Sequence, residues 1–302
     1  MLIGAHVSTS GGLVKAVGRG VETESTAIQI FNQSPRMWRP TKYTDADFKE
    51  FRDAMEASTV DAVIIHAIYL INPGTVKPDL LEKSVTALTH ALSVGDGIGA
   101  VGVVLHPGPV MKGQEYGPTI ERIAAVVKTA LDQTDECKVL LENAAGKNAV
   151  GSKFEHLADL IDLLGGDDRV GVCIDSCHSH AAGYDVRTID AVTETVDELD
   201  NVVGVDRVKA LHVNDSRDAF ESYRDRHANL GDGFIGKGGI AAFLSEPRFA
   251  DVPAFLEVPG SDKDGPSNID VELAFELHDK GLKAREKMSA DAGRLAKNKA
   301  KR

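Results

Sequence analysis

The chain has 302 residues, of which 42% are hydrophobic, enough for a substantial core, and carries a formal net charge of −12. That charge argues against a generally basic, nonspecific nucleic-acid binder, and no apolar run approaches the ~18 residues that span a bilayer. Three cysteines, Cys137, Cys173 and Cys177, are too few for a disulfide framework, and residues 1–8 lack the features of a signal peptide, so a cytoplasmic, reducing setting is expected.

Strand-like apolar runs occupy residues 2–7, 26–31, 62–66, 101–106, 138–142, 170–174, 207–212 and 253–257, and segments of helical period separate them. Eight β-α units in series predict an α/β protein, a single-domain (β/α)8 TIM barrel over residues 1–283, with its active site at the C-terminal face of the strands. A doubly wound sheet usually has fewer strands and a phosphate-binding glycine turn after the first; here strand one exits into AHVSTSGG, without the G-x-G-x-x-G order. Within the helix predicted at 154–164, Phe154, Leu157, Leu160, Ile161 and Leu164 share a face, and Ser152 is placed to cap it.

Two linkers, 32–40 (NQSPRMWRP) and 214–236, are longer than the rest, and long loops at the strand exits of a barrel are where substrates are met. Beyond residue 283 the apolar period fades. Residues 284–302 are expected to form a basic C-terminal tail, a frayed helix or disordered; from Lys280 onward nine Lys or Arg face two acidic residues, leaving the preceding 279 residues at −19.

The sixth run exits through VCIDSCHSHAAG, presenting Asp175 and His178. Taken alone, an Asp capping the next segment and a satisfied surface His explain such a pair. The spacing C-x-x-x-C-H is one residue longer than a haem-attachment signal, and its first Cys lies inside the strand, which excludes haem. The exit pattern recurs, however. Runs three, four and five end at His66, His106 and Glu142; run seven ends at His212 with Asn214 and Asp215 after it; run eight ends at Glu257; and the loop after run seven adds Asp225 and His227.

So many carboxylates and imidazoles on one rim are hard to tolerate without cations. Nine donors exceed the needs of one metal and suggest two or three ions with a bridging carboxylate. The absence of a Cys cluster suits catalytic rather than structural Zn2+, and Mn2+ or Fe2+ would accept the same donors. Clustered divalent ions suit phosphoester hydrolysis, because they generate a nucleophile from water and neutralise the leaving oxygen without an activated Ser or Cys. His90, His156, His180 and His278 sit in helical or exposed contexts and are assigned no role, whereas His6, on the rim after strand one, suits support of a ligand or contact with substrate.

The runs GAHVSTSGG, HAIYLIN, HPG, LLENAAG, CIDSCHSHAAGYD, LHVNDS, DRHANLGDGFIG and FLEVPG resemble, in order, the motifs of the endonuclease IV family, from the N-terminus to about residue 280. The resemblance implies a TIM barrel holding three zinc ions that hydrolyses the phosphodiester 5′ to an abasic site in duplex DNA, leaving a 3′-hydroxyl and a 5′-deoxyribose phosphate. It implies that His66, His106 and Glu142 hold the first ion, that Glu142 bridges to the second with Asp175, His212 and Glu257, and that His178, Asp225 and His227 hold the third. It also implies that Arg36, Tyr69 and Leu70 bend the duplex and expose the abasic nucleotide; a packed loop and core burial are their structural alternatives.

Ile68 and Val258 depart from the family, which commonly has Pro or Ser, and Thr, at those positions. The expected protein is a monomer with no obligate protein partner. A metal-dependent sugar isomerase or epimerase on the same barrel would need only one or two ions and gives Asp225, His227, Arg36 and Tyr69 no task. A noncatalytic DNA-damage binding protein would be expected to have lost a ligand, and none is missing.

Overall fold

The computed structural model describes residues 1–300, with side chains up to residue 292. Eight strands, β1 (Ile3–His6), β2 (Ala27–Phe31), β3 (Ala62–His66), β4 (Val103–Leu105), β5 (Val139–Glu142), β6 (Val170–Asp175), β7 (Val208–His212) and β10 (Ala254–Leu256), close into a barrel. Its order is β1-β10-β7-β6-β5-β4-β3-β2 and every neighbouring pair is parallel. Strands β8 (Asp215–Ser216) and β9 (His227–Ala228) form a separate antiparallel ribbon in the loop after β7. Around the barrel lie α1 (Lys15–Glu22), α2 (Asp45–Glu56), α3 (Pro78–Ile98), α4 (Tyr116–Leu131), α5 (Phe154–Leu163), α7 (Ile189–Val202), α8 (Gly236–Leu244) and α9 (Asn268–Ala300), while the short α6 (Ser176–Ala182) follows β6 directly.

The strands read as near-continuous apolar runs because both of their faces are covered. One face packs against the helices, through residues such as Ile3, Ile28, Ile65 and Val139. The other fills the barrel: Ala27, Ala62, Ile64, Val104, Leu140, Cys173, Ala210 and Phe255 form a separate interior cluster. Phe255, fully buried, is the largest of these, and truncating it to Ala would cost about 3–5 kcal/mol. At Gly4 a Cβ would stand 1.6 Å from the Ala27 carbonyl oxygen, so only glycine lets β1 lie this close to β2.

Helix starts follow local chemistry. Thr44 and Asp47 form a reciprocal capping box on α2, and Pro78 opens α3, where its missing N–H is no loss. Ser152 does not cap α5 as expected: the N-cap is Lys153, which makes no side-chain cap, and Ser152 lies one residue too early. The segment 284–302, set apart as a tail, begins inside α9, which runs unbroken to Ala300. Arg285 ties that helix to the body through Glu246 at 2.9 Å and the Ala242 carbonyl at 3.0 Å; the side chains after residue 292 and residues 301–302 lie outside the description.

Candidate metal centre

Strand periodicity places the site. Alternate residues point to the same face of a strand, so a side chain two positions beyond an interior residue also faces inward, one layer higher. His66 follows Ile64 in this way, His106 follows Val104, Glu142 follows Leu140, Asp175 follows Cys173, His212 follows Ala210 and Glu257 follows Phe255. Four of them close their strands, whereas β4 and β10 are shorter than the expected runs, so His106 and Glu257 stand just past their ends. Together they form an arc over six neighbouring strands, with the apolar plug as its floor.

The donor atoms converge in three groups that match the expected sets: His66, His106 and Glu142; Glu142, Asp175, His212 and Glu257; and His178, Asp225 and His227. Glu142 belongs to two of them. Its Oε2 lies 3.0 Å from His106 Nε2 and 3.7 Å from His66 Nε2, while its Oε1 lies 2.8 Å from His212 Nδ1. The strand order explains this, since β5 stands between the β3-β4 pair and the β6-β7-β10 trio. In the third group, Asp225 Oδ1 is 3.1 Å from His178 Nε2 and 3.2 Å from His227 Nε2.

Asp175 serves two purposes. Its Oδ1 accepts the His178 backbone N–H at 2.7 Å, capping α6, and its Oδ2 faces His212 Nδ1 at 4.0 Å and His227 Nε2 at 3.8 Å. Capping and membership of a donor group thus fall to different oxygens of one carboxylate. Asn214 spans the same region: its Nδ2 donates to Asp175 Oδ2 at 2.7 Å and its Oδ1 accepts the Glu257 N–H at 2.9 Å.

Burial pushes the Glu142 carboxyl upward, but His106 and His212 facing it hold it well below the usual range. Glu257, resisting the same burial, is held down at about 2 by His212 and His66. For His178, burial pulls downward but Asp175, Asp225 and Glu142 raise it well above the ordinary imidazole value. His227 behaves alike, reaching about 9 against its burial through Asp225 and Asp175.

Glu142 Oε2, His178 Nε2 and His227 Nε2 are buried, and although each lies 3.0–3.2 Å from an atom of a neighbouring donor residue, none of these approaches has the geometry of a hydrogen bond. Leaving such an atom unsatisfied costs about 1–3 kcal/mol. Three of them aimed into groups of nitrogen and oxygen donors fit divalent cations of the zinc type. Cys177 also converges on Asp175 and His227, and burial pushes its thiol well up.

Asp215, expected only as an acidic residue near the exit of the seventh run, proves to be a backbone organiser. Its two oxygens accept the N–H groups of Ser216, Gly231, Gly233, Ile235 and Gly236 at 2.8–3.1 Å. They thereby fix the loop whose ribbon presents Asp225 and His227. Gln29 was missed in the sequence, and Asn143, which follows Glu142, and Asn214, two residues past His212, were given no role there. Asn143 accepts the Asp175 N–H at 2.6 Å through its side chain, and its carbonyl meets His178 Nδ1 at 2.8 Å. The available signal was an amide inside or just after an apolar strand, as in AIQIF and LLEN.

The groups open onto a cavity of about 790 Å³, lined on one side by Ser8, Thr9 and Ser10 and on another by Gln33, Ser34 and Tyr43. An adjoining cavity of about 620 Å³ shares Tyr69, His106, His178 and Asp225 with it, so Tyr69 stands where the two meet. Tyr69 is 65% exposed, which rules out core burial, and its ring lies edge-on to Phe31 at 5.3 Å and to His66 at 5.6 Å. Leu70 is half-buried and packs on the core, and Arg36 is exposed beside the half-buried Trp38. Ile68 and Val258 are buried, so both departures from the family add apolar contact next to the rim. Among the described residues no helix is long and apolar enough to cross a membrane.

A family model described as a xylose isomerase-like TIM barrel matches residues 19–278. A probable endonuclease 4 of Halothermothrix orenii is 37% identical over 270 residues, 87% of this chain and 96% of that one. Another from Citrifermentans bemidjiense is 36% identical, covering 91% and 98%. The crystal structure of endonuclease IV from Thermus thermophilus superposes with a TM-score of 0.81 at 36% identity, over 93% of this chain and all of that one. A D-tagatose 3-epimerase-like protein, with a TM-score of 0.66 at 19% identity, shares the fold alone. The agreement extends over most of the chain, and the chain belongs to the endonuclease IV family of the xylose isomerase-like TIM barrels.

Proposed function

We propose that the protein is a DNA-repair endonuclease that hydrolyses the phosphodiester 5′ to abasic sites in duplex DNA, leaving a 3′-hydroxyl and a 5′-deoxyribose phosphate. The observation that carries this reading is the set of three adjacent donor groups, the first two joined through Glu142, beside one cavity. A sugar isomerase or epimerase on this fold would need at most two of those groups and leaves His178, Asp225 and His227 without a task. Kinship with endonucleases over most of the chain supports the same choice.

The three groups would hold three zinc ions, with Mn2+ or Fe2+ as substitutes. Bound divalent ions lower the pKa of water toward neutrality and neutralise charge on phosphate oxygens. Around them the protein supplies position. Glu142, fully buried, keeps the first two groups at a fixed spacing, and the apolar plug beneath excludes water from below. His178, Asp225 and His227, nearer the opening, face the leaving 3′ oxygen.

Tyr69, Leu70 and Arg36 would act on the duplex, the ring and Leu70 filling the space beside the extruded sugar and Arg36 contacting the backbone. Every donor comes from one chain, so a monomer suffices, and cytoplasmic DNA is the expected partner.

The test is incubation of the zinc-loaded protein with a duplex oligonucleotide bearing one tetrahydrofuran abasic analogue, followed by end-group analysis. A single nick with a 3′-hydroxyl is expected, and about three zinc ions per chain by elemental analysis. Intact DNA from a folded, loaded sample sinks the proposal.

A further inference from the structure

Gln29 is the one polar residue in the apolar strand β2 (AIQIF), and it is fully buried. It stands two residues after Ala27 of the barrel plug, so its side chain enters the layer of the donor groups from a strand that supplies no donor. Both of its amide protons and its oxygen are engaged there. Its Nε2 donates to Glu257 Oε1 at 2.6 Å and lies 2.9 Å from His6 Nδ1, and its Oε1 lies 2.7 Å from His212 Nε2.

The orientation of this amide is chemically determined. Ionised Glu257 can only accept, so the amide nitrogen must face it and the amide oxygen must face His212. An oxygen that can only accept requires a proton on His212 Nε2. Nδ1 of the same ring faces the group, within hydrogen-bond distance of Glu142 Oε1 at 2.8 Å and 3.5 Å and 4.0 Å from Glu257 Oε2 and Asp175 Oδ2; with the proton held on Nε2, Nδ1 is the nitrogen whose lone pair would serve an ion bound there. The bond to Oε1 likewise turns Oε2 of Glu257 into the group. His6 Nδ1, facing an N–H, must accept, which makes it the third point that holds the amide in plane.

We infer that Gln29 is a positioning residue for the second ion: one buried amide sets the tautomer of His212 and the rotation of Glu257, two of that ion's four donors. Partners of this kind orient a metal's ligands, and their loss commonly weakens binding about 10–100-fold. The inference rests on the proposed ion-binding reading, and the experiment separates the two.

Gln29→Met keeps the side chain's length and burial while removing the amide. The full-length variant is expected to fold, checked by circular dichroism and thermal melting, and to hold one zinc ion about 10–100-fold more weakly in chelator competition, with the other two unchanged. Cleavage of abasic duplex should fall through kcat at unchanged KM, since Gln29 lies beneath the reach of the substrate. In the loaded wild type, long-range proton–nitrogen NMR should find the His212 proton on Nε2, and this signature should be lost in the variant.

Equal affinity for all ions in a folded Gln29→Met protein overturns the inference alone. Uptake of no divalent ion by the wild type overturns both readings. Weakened uptake of one ion in the variant, with no nicking of abasic DNA by either protein, upholds the role of Gln29 and overturns the substrate assignment. Should Gln29→Met fail to fold, the wild-type NMR decides, and a proton on His212 Nδ1 refutes the inference.

Discussion

The second and third donor groups sit side by side yet are built in different ways. Glu142, Asp175, His212 and Glu257 rise from four strand ends of one closed barrel, and Glu142, Asp175 and His212 are fully buried. His178, Asp225 and His227 come from a seven-residue helix and an irregular loop, and the Asp225 side chain is 51% exposed. The first arrangement inherits its geometry from the backbone hydrogen-bond ladder. The second must be held by side chains, chiefly Asp175 at the start of α6 and Asp215 inside the loop. The contrast separates rigid placement by strands from placement by local hydrogen bonds.

The sharpest way to break that contrast is at the residue common to the first two groups. Glu142→Ala should reduce nicking of abasic duplex to background and release more than one zinc ion, measured by elemental analysis after dialysis; full zinc content would refute the bridging role. Asp215→Asn should act on the third group without touching it. It places an amide N–H2 among five backbone donors, so about 2–3 kcal/mol of stability is expected to be lost in urea titration. It should also lose one zinc ion and about 10–100-fold in cleavage, while the first two ions stay. Loss of all three ions would mean that the two modes of placement are not separable.

Smaller effects are expected at the mouth. Tyr69→Ala should raise KM for the abasic duplex about tenfold, roughly 1.4 kcal/mol, with zinc content and melting temperature unchanged. Smallest is Arg36→Ala, which should weaken binding modestly and lower the salt slope of DNA affinity by about one. An unchanged slope would remove Arg36 from the backbone contacts.

The same contrast governs what the sequence could disclose. The strand-borne donors were legible because period two and strand ends are local properties: Ile64 to His66 and Leu140 to Glu142 show the same step without knowledge of the fold. The barrel followed from the eightfold alternation. Asp225 and His227 could be proposed only through the resemblance and their proximity to the seventh run, because the β8–β9 ribbon is a pairing of two residues with two. Asp215 appeared as one more acidic residue, since nothing in LHVNDS announces four backbone N–H groups from 16 to 21 residues on. Gln29 was passed over as a strand residue because its partners lie 183 and 228 positions away. Ser152 was misread as a cap by one position, within the usual uncertainty of helix ends.

The barrel divides its rim unevenly. Six adjoining strands carry the donors, while β1 and β2 carry none and contribute His6 and Gln29 as bracing instead. The segments that follow those two strands, from Ser8 to Gly12 and from Gln33 to Tyr43, form much of the cavity wall. Mutation there can reshape what enters the cavity without displacing a side chain of the three donor groups. The scaffold therefore has a built-in zone of evolutionary latitude, in which the cavity wall can drift while the convergent carboxylates and imidazoles are inherited intact.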